Sequence, residues 1–156
     1  MVKAVSKSIF SSSYDIKENG EPVSEVNFSN WSEKAELTIG GKKASFYRQG
    51  IVSGDFVFEF EDRILATAEK PSAWKDDMVI KVGEQFFEIR PKSWFSYTYY
   101  ITWQGQQIGK ISRDGWVTQN GTGEFPEDWP AALKVFVFIL VLLLWRRTDS
   151  AAASGS

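Results

Sequence analysis

From its first residues to about Thr118 the chain alternates polar and apolar positions in short runs, the period of a strand with one wet and one buried face. In Asp55 to Glu61 (DFVFEFE), Phe56, Phe58 and Phe60 share one face and Val57, Glu59 and Glu61 the other. Ala35 to Ile39 (AELTI), Met78 to Val82 (MVIKV) and Tyr97 to Trp103 (YTYYITW) alternate in the same way. A first strand is expected within Met1 to Phe10, with Val5, Ile9 and Phe10 as core positions. Further strands are expected at Tyr14 to Lys17, Val23 to Phe28, Lys43 to Tyr47, Ile64 to Glu69, Gln85 to Arg90 and Gln107 to Ser112. Asn19-Gly20, Gly40-Gly41, Gly83-Glu84, Asp114-Gly115 and Asn120-Gly121 are dipeptides that accept the positive φ of tight turns. About 11–12 strands at this spacing, with no helical crossover between them, predict a mainly β, antiparallel barrel or sandwich.

After Phe125 the pattern changes. Asp128 is placed to cap a helix and Pro130 to sit in its first turn. Val135 to Trp145 is then apolar at every position, so a helix there must be surrounded on all sides. Arg146 and Arg147 follow, at the negative end of its dipole. A membrane anchor is one home for such a segment, bracketed by Trp129 and Trp145. Its length argues otherwise. At ~1.5 Å per residue the apolar run reaches about 17 Å, against a hydrocarbon core of roughly 30 Å. Extending the span to Trp129 would place Lys134 inside it. A barrel of eleven or more strands is wide enough to hold a helix of about 10–12 Å. Ala35, Ala44, Ala66 and Ala68 are small wall positions that would leave it room. The expected architecture is therefore a closed antiparallel β-barrel enclosing a C-terminal hydrophobic α-helix. Residues 1–147 would form a single domain, with the helix over about 130–147. Its core would be Val135, Phe136, Phe138, Ile139, Leu140, Leu142, Leu143 and Trp145. Residues 148–156 (TDSAAASGS) read as a disordered tail.

This order of elements, ending in FPEDWPAALKVFVFILVLLLWRR from Phe125 to Arg147, resembles the tubby C-terminal-like group. That group includes the LURP-one-related proteins and the phospholipid scramblases. The phrases IKENGE, from Ile16 to Glu21, and QQIGKISR, ending at Arg113, look similar to strand–turn segments of LURP-one-like sequences. The resemblance implies a helix in the barrel lumen. It also implies a scaffold that binds lipid head groups or acts at membranes, since tubby-type domains bind phosphoinositides and scramblase relatives work at bilayers. It supplies no catalytic motif and no lipid-contact residue that aligns with a position here.

Composition narrows the chemistry. The 156 residues contain neither histidine nor cysteine. That excludes Ser-His-Asp and Cys-His nucleophiles, disulfides, thiolate zinc sites and two-histidine metal sites. A formal net charge of −2 speaks against a broad nucleic-acid surface. Met1 to Phe10 lacks the continuous apolar stretch of a secretory signal, and a cytoplasmic protein is expected, associated with membranes at most through its surface. Aromatic residues make up 15%, including seven Trp, more than the strand pattern alone uses. Trp31, Trp74, Trp94 and Trp116 sit in turn-like contexts and are expected to plug the barrel rims.

The carboxylates Glu59, Glu61 and Asp62, Asp76 and Asp77, and Glu124, Glu127 and Asp128 form no metal-loop spacing; they read as wet strand faces and turns. Ser11, Ser12 and Ser13 have no activating base. Asn120-Gly121-Thr122-Gly123 lacks a phosphate-loop ending and reads as a flexible linker before the helix. A carboxylate-dependent hydrolase using such acids, as with Glu59 and Glu61 on one strand face, is the least favoured class, and no catalytic residue, metal or cofactor is expected. Lys42, Lys43 and Arg48 on one hairpin, with Lys3 and Lys7 on the first strand, are the candidate contacts for an anionic lipid or membrane surface. A protein partner on the outer face is the other binding reading, and a β-domain tethered by a transmembrane tail the competing class.

Overall fold

Each alternating run pairs with the next along the chain. The computed structural model describes residues 1–7, 13–28, 34–49, 55–70, 77–93, 96–115 and 120–154. Twelve strands lie among the described residues: β1 (Val2–Ser6), β2 (Ser13–Glu18), β3 (Glu21–Phe28), β4 (Ala35–Ile39), β5 (Lys42–Arg48), β6 (Phe56–Phe60), β7 (Arg63–Glu69), β8 (Met78–Val82), β9 (Gln85–Pro91), β10 (Tyr99–Trp103), β11 (Gln106–Arg113) and β12 (Gly121–Glu124). One helix, α1 (Ala131–Ser154), follows. Every strand is antiparallel to its neighbours in the chain, and β12 pairs with β1 through Val2↔Gly123, Lys3↔Thr122 and Ala4↔Gly121. The sheet is a closed barrel, which leaves no unpaired edge.

The two ends differ. Two-residue turns join β2 to β3, β4 to β5, β6 to β7, β8 to β9 and β10 to β11, all at one end. Asn19-Gly20 adopts φ of 50° and 84°, the hairpin geometry its sequence predicts. Glu61-Asp62 does the same at 53° and 63° without a glycine, which is why no dipeptide announced that turn. The connections after β1, β3, β5, β7, β9 and β11 are longer and join strand ends at the opposite rim.

The helix fills the lumen. Val135 to Trp145 is buried at every position, as expected of the eight core residues named from sequence. Phe136 packs against Phe46 of β5 and Phe58 of β6, with ring centres 6.0 and 5.1 Å apart. On the opposite wall, Phe138 and Trp145 lie over β12. A Cβ on Gly121 would stand 2.6 Å from the Trp145 ring, and one on Gly123 would stand 3.1 Å from Phe138. Ala35, Ala44, Ala66 and Ala68 are buried as the room-giving positions they were read to be. Ala132 to Trp145, at ~1.5 Å per residue, measures about 21 Å, matching strands of similar length. No helix among the described residues is long and apolar enough to cross a membrane.

Several expectations shift in detail. Gly121–Glu124 is the twelfth strand and not a flexible linker. Its inward positions are glycines because Trp145 of the helix stands against Gly121, and Phe125, with Phe138 of the helix, against Gly123; this erases the alternation by which a strand is recognised. Val5 is exposed; Val2 and Ala4 are the inward residues of β1. Ile9 and Phe10 lie outside the described residues. Pro130 precedes the helix and its carbonyl accepts from Leu133 and Lys134, so Asp128 stands in the turn before it. The helix passes the expected boundary at Arg147 and continues to Ser154.

Candidate functional site

With the lumen filled by side chains, contact with a ligand falls to the outer face and the two rims. Two shallow grooves open on the outer face. One, of about 430 Å³, runs over β2, β3 and β4 between Lys17, Pro22, Glu25 and Gly41. The other, of about 400 Å³, lies beside the exposed ring of Phe86, with Val79, Glu88 and Thr102. Among the described residues no group of three or more potential metal ligands converges.

The direction of the helix decides where polar groups gather. α1 starts at the end carrying the tight turns and leaves at the other rim. At its entry Lys134, almost buried, reaches Glu18 at the end of β2, 2.5 Å away. Phe125, Trp129 and Phe87 pack together beside it, with Trp129 4.9 Å from Phe87 and 6.0 Å from Phe125.

At the exit the polar groups are denser. The Trp145 indole N–H donates to the Tyr97 carbonyl at 3.0 Å. One turn on, the Asp149 carboxylate accepts from the Tyr97 hydroxyl and from Arg113 at the end of β11, each at 3.0 Å. The Arg113 guanidinium also lies 4.5 Å from the centre of the Tyr97 ring. Arg146 stands over Phe28 at 5.0 Å, while Arg147 and Arg48 both stand over Phe56, at 5.6 and 5.5 Å. Cations over aromatic faces keep their charge while their stems cover apolar surface. Phe46 stacks on Phe56 at 5.3 Å, so the ring that carries two guanidiniums is itself rooted in the core. Burial pushes the hydroxyl of Tyr14 above its ordinary pKa, with Arg146 and Arg113 partly opposing. Burial first, and then the hydrogen bond to Asp149, does the same for Tyr97. Both phenols therefore stay neutral donors across the physiological range.

The lysines and arginine named from sequence do not come together. Lys42 and Lys43 begin β5 at the entry end, with Lys42 3.2 Å from Glu61. Arg48 ends β5 at the exit, six residues and about 20 Å away. Lys3 lies exposed on β1, and Lys7 binds Glu25 at 2.6 Å. Among the acids, Glu59 accepts from Tyr47 at 2.7 Å, Asp77 lies 3.8 Å from Arg90, and Glu124 lies 3.9 Å from Lys110. Glu61 and Asp62 form the β6–β7 turn, so Glu61 does not continue the face of Glu59. Asp76, Ser11, Ser12 and the tryptophans 31, 74, 94 and 116 lie outside the described residues.

Reading the sequence one residue run at a time missed Arg113, Arg146, Arg147, Tyr97 and Asp149 as a group. The signal was parity. In a barrel of consecutive antiparallel strands every odd-numbered element points the same way. The ends of β5, β11 and the thirteenth element, α1, must then share a rim. Compared with known proteins, the chain matches no family model, no curated protein and no solved structure. The architecture fits that of a tubby-like barrel.

Proposed function

We propose that this chain is a non-catalytic binding module of the tubby and LURP-one-like kind, acting through the rim where its helix emerges. The partner is the anionic face of a lipid membrane. One observation carries this reading: Arg48, Arg146 and Arg147 gather on the aromatic rings of Phe28 and Phe56 around the helix exit, while the interior is occupied. A basic cluster near an anionic lipid surface contributes about 1 kcal/mol per residue. Arginines whose stems rest on rings hold their charge at a set position, so less side-chain entropy is lost on binding.

Flotation with neutral phosphatidylcholine vesicles and with vesicles carrying an added anionic lipid tests it. The full chain should float with the second and not the first. Changing Arg48, Arg146 and Arg147 together to Gln should weaken partitioning about a hundredfold. Changing Lys42 and Lys43 to Gln should leave it within a few-fold. Binding lost only in the lysine variant would move the surface to the β4–β5 hairpin. Floating equally with both vesicles, or with neither, would overturn the lipid reading in favour of a protein partner.

A further inference from the structure

Arg113 is an enclosed guanidinium at the exit rim, with 7% of its side chain exposed. A charge that far from water is stabilised by an anion beside it. The end of β11 and the β9–β10 connection aim two donors at one point, the Arg113 Nη1 and the Tyr97 hydroxyl. What occupies that point is the Asp149 Oδ1, 3.0 Å from each. The two sides of this contact differ in kind. Arg113 ends a strand of the closed sheet, and Tyr97 is pinned through its carbonyl by Trp145. Asp149 belongs to the part of α1 that lies past the last core residue, and 30% of its side chain is exposed. The guanidinium of the receptor is enclosed; the occupant is carried on the helical turns furthest from the packed lumen.

We propose that Arg113 and Tyr97 form a carboxylate-binding site, and that Asp149 is its built-in occupant. An acidic side chain or terminal carboxylate of a peptide partner would displace Asp149 and free the last turns of α1. Guanidinium and phenol together offer a planar carboxylate charge-assisted donors, and the site already holds that chemical group. Asp149 is held at the site by the packed helix, so a free acid of equal intrinsic affinity dislodges it only above the effective concentration that this tethering gives. The site is independent of the lipid reading, which stands or falls on Arg48, Arg146 and Arg147.

The probe is acetate, titrated into the full chain against sodium chloride at matched ionic strength, with thermal melting as the readout. Asp149→Ala should melt below the wild type. Acetate at ten times its dissociation constant should then raise that melting temperature by about 3–6 °C. The wild type and the double variant Asp149→Ala with Arg113→Gln should respond no more to acetate than to chloride. If Asp149→Ala does not fold, Asp149→Asn keeps the shape and removes the charge. Acetate should then act on it at lower concentration than on the wild type, because a neutral amide competes less well. An Asp149 variant that is destabilised yet blind to acetate would make the contact a structural staple and end the proposal. So would a response that survives loss of Arg113.

Discussion

At the entry end, two-residue turns join the strands, Phe125 and Trp129 pack beside the helix start, and the helix's cation there, Lys134, is matched by Glu18. At the exit end the connections are longer, and Arg48, Arg113, Arg146, Arg147 and Asp149 surround the emerging helix. Both ends hold the same helix, but the first does so with apolar filling and a single ion pair, and the second with a polar network. The entry end is short of loops, and the helix's own cation there is paired, the character of a closed base. Loops carried on a rigid scaffold are where binding groups concentrate, and the exit rim is the end to which the lipid proposal assigns contact. The two ends therefore differ in how they hold the helix, and the proposals place the contact surface at the polar one.

The largest test removes what both ends hold. A chain ending at Glu124 keeps all twelve strands and loses the core they enclose. Each large buried side chain of α1 contributes about 1.5–3 kcal/mol, so their sum exceeds the 5–15 kcal/mol of a typical domain. The truncated chain should show no cooperative melt by circular dichroism. A sharp transition near that of the full chain would mean that the sheet is stable while hollow, and the comparison of two helix-holding ends would lose its basis.

The next effect separates the ends. Lys134→Met leaves Glu18 part-buried without its partner and should cost about 2–4 kcal/mol by denaturant unfolding. Adding Glu18→Gln should recover most of that loss, since a neutral, apolar replacement of a buried pair is often tolerated. The loss should be insensitive to salt. If Lys134→Met is neutral, the entry end is closed by its aromatic residues alone, and the ion pair there is incidental.

The features that were legible in the sequence are those with a local signature. The period-two runs gave eleven of the strands, and the unbroken apolar stretch gave the helix and, through its shortness, its place inside the barrel. β12 was hidden because its inward residues are glycines, made so by the rings of Trp145, Phe138 and Phe125 that stand against them, and the strand pattern shows none of those contacts. The Glu61-Asp62 turn was hidden because its positive φ is imposed by the closed hairpin on residues that do not favour it. The exit site was hidden for a related reason. Arg48, Arg113 and Asp149 are separated by long stretches of chain, and only the up-and-down connectivity brings them to one rim. Charge counted along the chain grouped Arg48 with Lys42 and Lys43, its neighbours on a strand, although the strand's own length holds them apart.

The smallest effect calibrates the other two, because it concerns charges that neither end encloses. On the outer face Lys7 donates to Glu25 at 2.6 Å, with Asp15 at 4.0 Å, and all three are substantially exposed. The hydrogen bond and charge of Lys7 hold the Glu25 carboxyl below its ordinary value of 4.5. The hydrogen bond from Lys7 to Glu25 likewise holds the ammonium above 10.5. A depressed carboxyl adds stability above its unfolded pKa and loses it as pH falls through the folded one; a raised ammonium adds stability below its unfolded pKa and loses it as pH rises through the folded one. The melting difference between wild type and Glu25→Gln should therefore be level between about pH 5.5 and 9.5 and close at both extremes. It should also be small, and shrink towards zero in about 1 M salt, where charges are screened beyond roughly 3 Å. A Glu25→Gln loss as large and as salt-resistant as that of Lys134→Met would show that enclosure by the barrel does not set the strength of these contacts. The distinction between a closed base and a partner-facing rim would then have to rest on the exit arginines alone.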